Sequence, residues 1–214
     1  MKAFLDGAEL KLPSPTLRVA LSLARESAEA SRRVIVEATI DGEPCRNDWL
    51  ESPPETEMPN AEVRFVSAEP TSLVSTTFSE LADVLLSAKT AQIEVCEDLR
   101  GGRYDKAFTQ LEEIVGVWEM VRRGVEEGTR LVGLPLEHFL VSAGTTPAGE
   151  RDSRVELLTG HVGRLVDLLA DLKSAVQSKD WAGLADLLGH DLVDAADTWR
   201  RILKDMAATV LKTR

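Results

Sequence analysis

The apolar residues Ala107, Leu111, Ile114, Trp118, Val121 and Val125 step by 4, 3, 4, 3 and 4 along the chain. Such a stripe stays on one narrow side of a helix and winds left-handed around its neighbours, the geometry of bundles and coiled coils. The pattern recurs in Val155, Leu158, Val162, Leu165, Leu169, Leu172 and Val176, and again in Trp181, Ala185, Leu188, Leu192, Ala195, Trp199, Ile202 and Met206. Phe78, Leu81, Leu85 and Ala88 mark a fourth stripe, which "LRGG" ends near residue 100. Residues 70–214 are therefore expected to form an all-α bundle of about four long helices. Its core is aliphatic, since aromatic residues make up only 5% of the chain. Pro, Gly, Ser and Thr in residues 133–153 predict a crossover with one helical turn around Leu136–Val141, after which Ser153 caps the third long helix.

The first 69 residues follow another period. In "KAFLDGAELKL" two short apolar-alternating runs flank Asp6-Gly7, a hairpin signal because Gly accepts positive φ. Pro13-Ser14-Pro15 stops the second run, and Thr16 can cap a helix with Leu17, Ala20, Leu21 and Ala24 on one face. "RVIVEATIDG" then reads as a strand with Val34, Val36, Ala38 and Ile40 facing alike, ending on Asp41-Gly42. After the hook "RNDWLES", "AEVRFVS" supplies a closing strand with Val63 and Phe65 on one side. Pro70 marks the boundary, so the chain is expected to be α+β, with a small domain over 1–69 and the bundle over 70–214.

The order of "MKAFLDGAELKLP", the Thr16 helix, "VIVEATIDGEPCRNDWLES" and "EVRFVS" resembles the β-grasp or ubiquitin-like fold, and within it the small sulfur carriers of thiamin and molybdopterin synthesis. Asp41-Gly42 and Trp49 map onto the carriers' strand-end turn and anchor. The resemblance implies shape without carrier chemistry. Carriers are activated at a free C-terminal Gly-Gly, whereas here the closing strand continues into the helices and Gly101-Gly102 lies between two of them. A second stretch, "DWAGLADLLGHDLVDAADTW", resembles uncharacterised bacterial proteins that join a β-domain to helices. Asp180, Leu184, Ala185, Asp186, Leu187, Leu188 and Trp199 match, and His190 departs from the aromatic expected there. That family implies no assigned activity.

Chemistry has few places to sit. Asp186, His190, Asp194, Asp197 and Arg201 step by 4, 4, 3 and 4 on the last helix, a His among carboxylates that could serve a metal or act as a base. The stripe lies about 200° around the helix from the apolar seam, so it is expected to face solvent. His138 and His161 have no sequence-level partner, and no GxSxG, P-loop or GxGxxG occurs. Cys45 and Cys96, without a CxxC, are expected as free thiols. Glycines at 116, 124, 128, 160, 163, 183 and 189 interrupt the helices, suggesting close backbone approach, with Gly160 and Gly163 marking a docking face. Tyr104 and Trp181 each head a helix after a polar turn, a faint internal echo.

A net charge of −11, with both the first seventy residues and the remainder acidic, argues against nucleic acid. No apolar run approaches a membrane span and the N-terminus alternates, so a soluble cytoplasmic protein is expected. The resulting expectation is a non-enzymatic adaptor, scaffold or chaperone-like protein without cofactor or metal. It would bind an unidentified protein partner and form a homodimer, through a surface including Trp49, Gly160, Gly163, His190 and Asp194. The rival is a ligand-binding or metal-dependent enzyme using His190, Asp194 or His138.

Overall fold

The computed structural model describes residues 1–142 and 155–213, with backbone alone at 138, 140–142 and 155–157. It is α+β and divides into two compact units, Met1–Leu73 and Val74–Arg214.

The first unit runs β1 (Lys2–Leu5), β2 (Ala8–Leu10), α1 (Leu17–Ala30), β3 (Val34–Ile40), β4 (Glu43–Pro44), α2 (Asn47–Glu51) and β5 (Glu62–Ala68). Both Asp-Gly pairs are two-residue hairpin turns. Asp6 and Gly7 have φ of 49° and 84°, and Asp41 and Gly42 have 51° and 88°, the left-handed pair that matches the twist of the flanking strands. The sheet order is β2-β1-β5-β3-β4, with β1 and β5 parallel and the other neighbours antiparallel. Thr16 caps α1, its hydroxyl accepting from Val19 N–H. Leu17, Ala20, Leu21, Ala24 and Ala28 bury that helix against Ala3, Leu5, Ala38, Val63 and Phe65.

Strand β3 departs from the expected alternation. A bulge between Ile35 and Glu37 shifts its register against β5. Ile35 and Ala38 therefore pack on the core while Val36 is 44% exposed, so Val34, Val36, Ala38 and Ile40 do not share one face. The two turn aspartates tie the hairpins to β5. Asp41 accepts from Glu62 N–H at 2.8 Å, and Asp6 accepts from Ser67 N–H at 2.8 Å and from the Ser67 hydroxyl. Arg33 Nε donates to the same hydroxyl at 2.7 Å.

The Ser67 hydroxyl and amide, with Arg33 beyond them, hold the Asp6 carboxyl below its usual range near 3.8. A depressed carboxylate contributes its stability above the unfolded-state value and loses it as pH falls through the folded one. Asp6→Asn keeps the left-handed backbone accessible. It should lower urea-denaturation stability at pH 7 by up to about 1 kcal/mol, limited by solvent screening. The gap to wild type should close as pH falls below 3.8; a gap independent of pH would show that ionisation contributes nothing.

The second unit contains α3 (Pro70–Arg100, its first residues lying before the division), α4 (Tyr104–Leu131), a 3₁₀ turn (Leu136–His138), the hairpin β6 (Leu140–Ser142) and β7 (Val155–Leu157), α5 (Leu158–Ser178), α6 (Trp181–Asp186), a π-turn (Leu187–Asp191) and α7 (Leu192–Lys212). The expected α4 seam is buried throughout. Three expectations change. The third long helix starts at Leu158, because Val155–Leu157 pairs with β6; its expected cap, Ser153, lies outside the described residues. The helical turn around Leu136–Val141 is the 3₁₀ turn running into β6. The last long helix is interrupted: Leu192 N–H reaches back five residues to the Leu187 carbonyl, the π-turn inserts one residue, and Ala196 rather than Ala195 becomes fully buried.

Two glycines of α4 make room for side chains of α3. A Cβ on Gly128 would stand 2.8 Å from the Phe78 ring and one on Gly124 2.5 Å from Leu81 Cδ1. At the helix corner Asp98, with its side chain only 4% exposed, pairs with Arg103 at 2.6 Å and Lys106 at 2.8 Å. Hydrogen bonds from Lys106 and Arg103 hold its carboxyl below the usual carboxylate range. Deeper in, Gln92 is fully buried. Oriented by its neighbours, its amide oxygen accepts from Trp118 Nε1–H at 2.8 Å and its nitrogen donates to the Leu192 carbonyl at 3.3 Å. Gln92→Leu strands the indole N–H in an apolar core, so it should destabilise by about 1–3 kcal/mol in chemical denaturation. A neutral result would mean that the indole finds another acceptor.

Candidate interaction surface

Two carboxylates of the polar stripe on the last helix form surface ion pairs. Asp186 (α6) meets Arg100 at 2.9 Å, and Asp197 (α7) meets Lys89 at 2.6 Å and Arg200 at 3.9 Å. His190 and Asp194 are exposed, His190 inside the π-turn and Asp194 in the first turn of α7, while Arg201 turns to Thr198. Among the described residues no group of three or more His, Cys, Asp or Glu side chains is placed to hold a metal ion. His161 is buried, with Nδ1 2.9 Å from Arg164 Nη2. His138 closes the 3₁₀ turn, and its side chain is outside the described residues.

Both cysteines are free thiols. Burial pushes the Cys45 thiol up, with the Asp48 carboxylate adding to it, so the reactive thiolate is disfavoured there. Cys96 is buried against the π-turn, where a Cβ on Gly189 would stand 2.8 Å from its Sγ. Trp49 packs on the first unit's core, and Arg46 lies 5.7 Å from its ring centre while donating to both Asp48 carboxylate oxygens through Nε and Nη2.

Gly160 and Gly163 are exposed, and a Cβ at either would meet nothing within 4 Å. They are thus unlike Gly124 and Gly128, although the sequence groups all four. Tyr104 and Trp181, 77 positions apart in the chain, are in contact: their ring centres are 5.8 Å apart, and Phe108 completes the cluster 5.1 Å from Trp181.

The feature least legible in the sequence is the seam between α4 and α5. The apolar positions of α5 divide into two sets. Leu158, Leu165 and Leu172 are buried with His161 and Ala175, whereas Val162, Leu169 and Val176, spaced by seven, are half-buried. Phe108 and Val115 are their half-buried counterparts on α4. One groove of about 570 Å³ is floored by Phe108, Val115, Leu169 and Val176. A second, of about 170 Å³, lies farther along the same two helices by Val125, Val162 and Val166, and is also lined by Leu136 of the 3₁₀ turn and Trp199 of α7, with Val166 50% exposed. Together they follow α4 from Phe108 to Glu126, about 27 Å at 1.5 Å per residue. Glu112, Glu119 and Glu126 stand along the α4 lip, and Lys173 stands on the α5 side.

The chain matches no protein-family model, no curated protein and no solved structure. No helix among the described residues is long and apolar enough to cross a membrane.

The two glycine environments predict opposite responses. Gly163→Ala gains helix propensity with nothing to displace and should stabilise by up to about 1 kcal/mol. Gly128→Ala drives a methyl into the Phe78 ring and should destabilise by about 1–3 kcal/mol. Thermal melts of the two variants should move in opposite directions; a loss of stability in Gly163→Ala would mean that its open side is filled in solution.

Proposed function

We propose that the chain is a non-enzymatic protein-interaction module of the adaptor or chaperone-like kind, with a β-grasp-like first unit and a helical unit that carries the docking surface. The sheet order β2-β1-β5-β3-β4, with parallel central strands and α1 packed on one face, supports the β-grasp reading. The observation that carries the functional reading is the open α4–α5 seam. Apolar side chains at heptad spacing are half-buried in two grooves that follow about 27 Å of helix at a 1.5 Å rise, and Val166 beside them is 50% exposed. A continuous apolar strip with a polar rim is the usual anatomy of a binding surface. The aromatic cluster at its end offers the residue types that dominate binding energy. Asp186 and Asp197, by contrast, are engaged in ion pairs, which supports a solvated outer face for that helix.

A photo-crosslinking residue placed at Val166 in the intact chain, in cells that express it, should give a discrete adduct with another polypeptide. The same residue at Glu94, exposed on α3, should give none. No adduct from Val166, or equal adducts from both positions, would count against this surface as the site.

A further inference from the structure

We infer that the α4–α5 groove takes a basic amphipathic helix of a partner protein. The inference rests on the interaction reading above and specifies its occupant. Among the described residues, α4 and α5 run antiparallel along two grooves whose half-buried residues recur every seven positions, as Val162, Leu169 and Val176 do on α5 and as Phe108 and Val115 do on α4. A surface of that period is filled by another helix, whose apolar side chains can enter the gaps at matching intervals. An extended strand, with side chains alternating every second residue, does not keep step with it.

Charge selects the kind of helix. Glu112, Glu119 and Glu126 occupy the α4 lip at seven-residue intervals, about 10.5 Å apart along the axis. Arg122 donates to Glu119 at 3.1 Å and to Glu126 at 3.2 Å, neutralising part of that lip, and Lys173 is the cation on the α5 side near Glu112 and Glu119. The acidic ladder is thus strongest around Glu112, beside the larger groove and the aromatic cluster. A helix with Lys or Arg flanking its apolar stripe every seventh residue sets each cation beside a carboxylate, as the e and g positions of paired helices do. A second copy of this chain, with its own charge of −11, brings acid to acid along the same lip, so charge favours the basic partner over self-association.

The test uses the full-length protein and two fluorescein-labelled synthetic peptides of about 18 residues, the length that spans 27 Å as a helix. One carries Leu at the a and d positions and Lys along one flank; the other has Glu in place of each Lys. Fluorescence anisotropy should show binding of the Lys peptide, weakening as salt is raised, and no binding of the Glu peptide. Glu112→Lys should weaken the Lys peptide by roughly tenfold or more, since like charges then meet across the interface. Glu94→Lys should leave it unchanged, and Val166→Glu should weaken it by placing a carboxylate on the exposed apolar edge of α5. Circular dichroism melts confirm that all three exposed variants are folded.

Equal binding of both peptides, or insensitivity to Glu112→Lys and Val166→Glu alike, would overturn the proposal. So would sedimentation showing a dimer of the protein alone that Glu112→Lys dissociates, because the groove would then belong to a second copy. If the Val166 crosslink to another polypeptide persists while neither peptide binds, the basic-helix assignment falls and the interaction reading stands. If both fail, the reading falls with it.

Discussion

The helical unit depends on one buried amide. Gln92 of α3 accepts a hydrogen bond from the Trp118 indole N–H of α4 and donates one to the Leu192 carbonyl at the start of α7, so three helices meet at a single buried side chain. Leucine packing alone tolerates small slips along the helix axes, because one aliphatic ridge fits several grooves. A hydrogen-bonded amide does not, because displacement by one residue leaves the indole or the carbonyl unsatisfied in a low-dielectric core. The contact also lies one residue beyond the π-turn. The extra residue in Leu187–Asp191 changes the phase of everything after it, and Gln92 holds the first residue of the new phase. Gly189 against Cys96 lets the swollen turn come down onto α3 beside this point.

Once the phase of α7 is fixed, the burial pattern of its neighbours follows. Trp199, Ile202, Leu203 and Met206 fill the interior from α7, and α4 contributes an unbroken inner seam from Ala107 to Val125. Helix α5 can give the interior only one of its two apolar heptad sets, Leu158, Leu165 and Leu172, and the other set is left on the seam with α4. The ion pairs between α3 and the last helices, Lys89–Asp197 and Arg100–Asp186, lie on the solvent side and contribute little stability individually. Their consequence is functional: they occupy carboxylates that the sequence offers as metal ligands, while the apolar side chains left over on α5 have no such use.

What the sequence discloses follows from whether a feature is local. The Asp-Gly turns, the Thr16 cap and the α4 seam each depend on a few adjacent residues, and each is found where the pattern places it. The bulge in β3 does not announce itself, because "VIVEA" alternates as well with Val36 inside as outside; pairing with β5 decides. The π-turn is equally silent, since Gly189 reads as one more helix glycine until Cys96 is known to lie against it. The stripe on α5 was legible as apolar but not as divided, because a step of 3 and 4 says nothing about which neighbours are present to cover it. Tyr104 and Trp181 resemble each other in sequence context as heads of helices, and their likeness reflects two rings sharing one contact as much as any repeat.

The surface that results has chemistry of one kind at each depth. At the bottom of the α4–α5 seam are Leu111 and Leu172, buried and belonging to the core; above them lie Phe108, Val115, Leu169 and Val176, half in and half out; at the lip stand Glu112, Glu119 and Lys173. A cavity for a small ligand would instead close over its contents and present polar groups inward. Here the polar groups point along the edges and the apolar ones form a strip open from above, which orients a rod laid lengthwise better than a compact molecule. The same heptad spacing that packs α4 and α5 into the bundle is therefore present twice, once turned inward and buried, once half-buried along the seam.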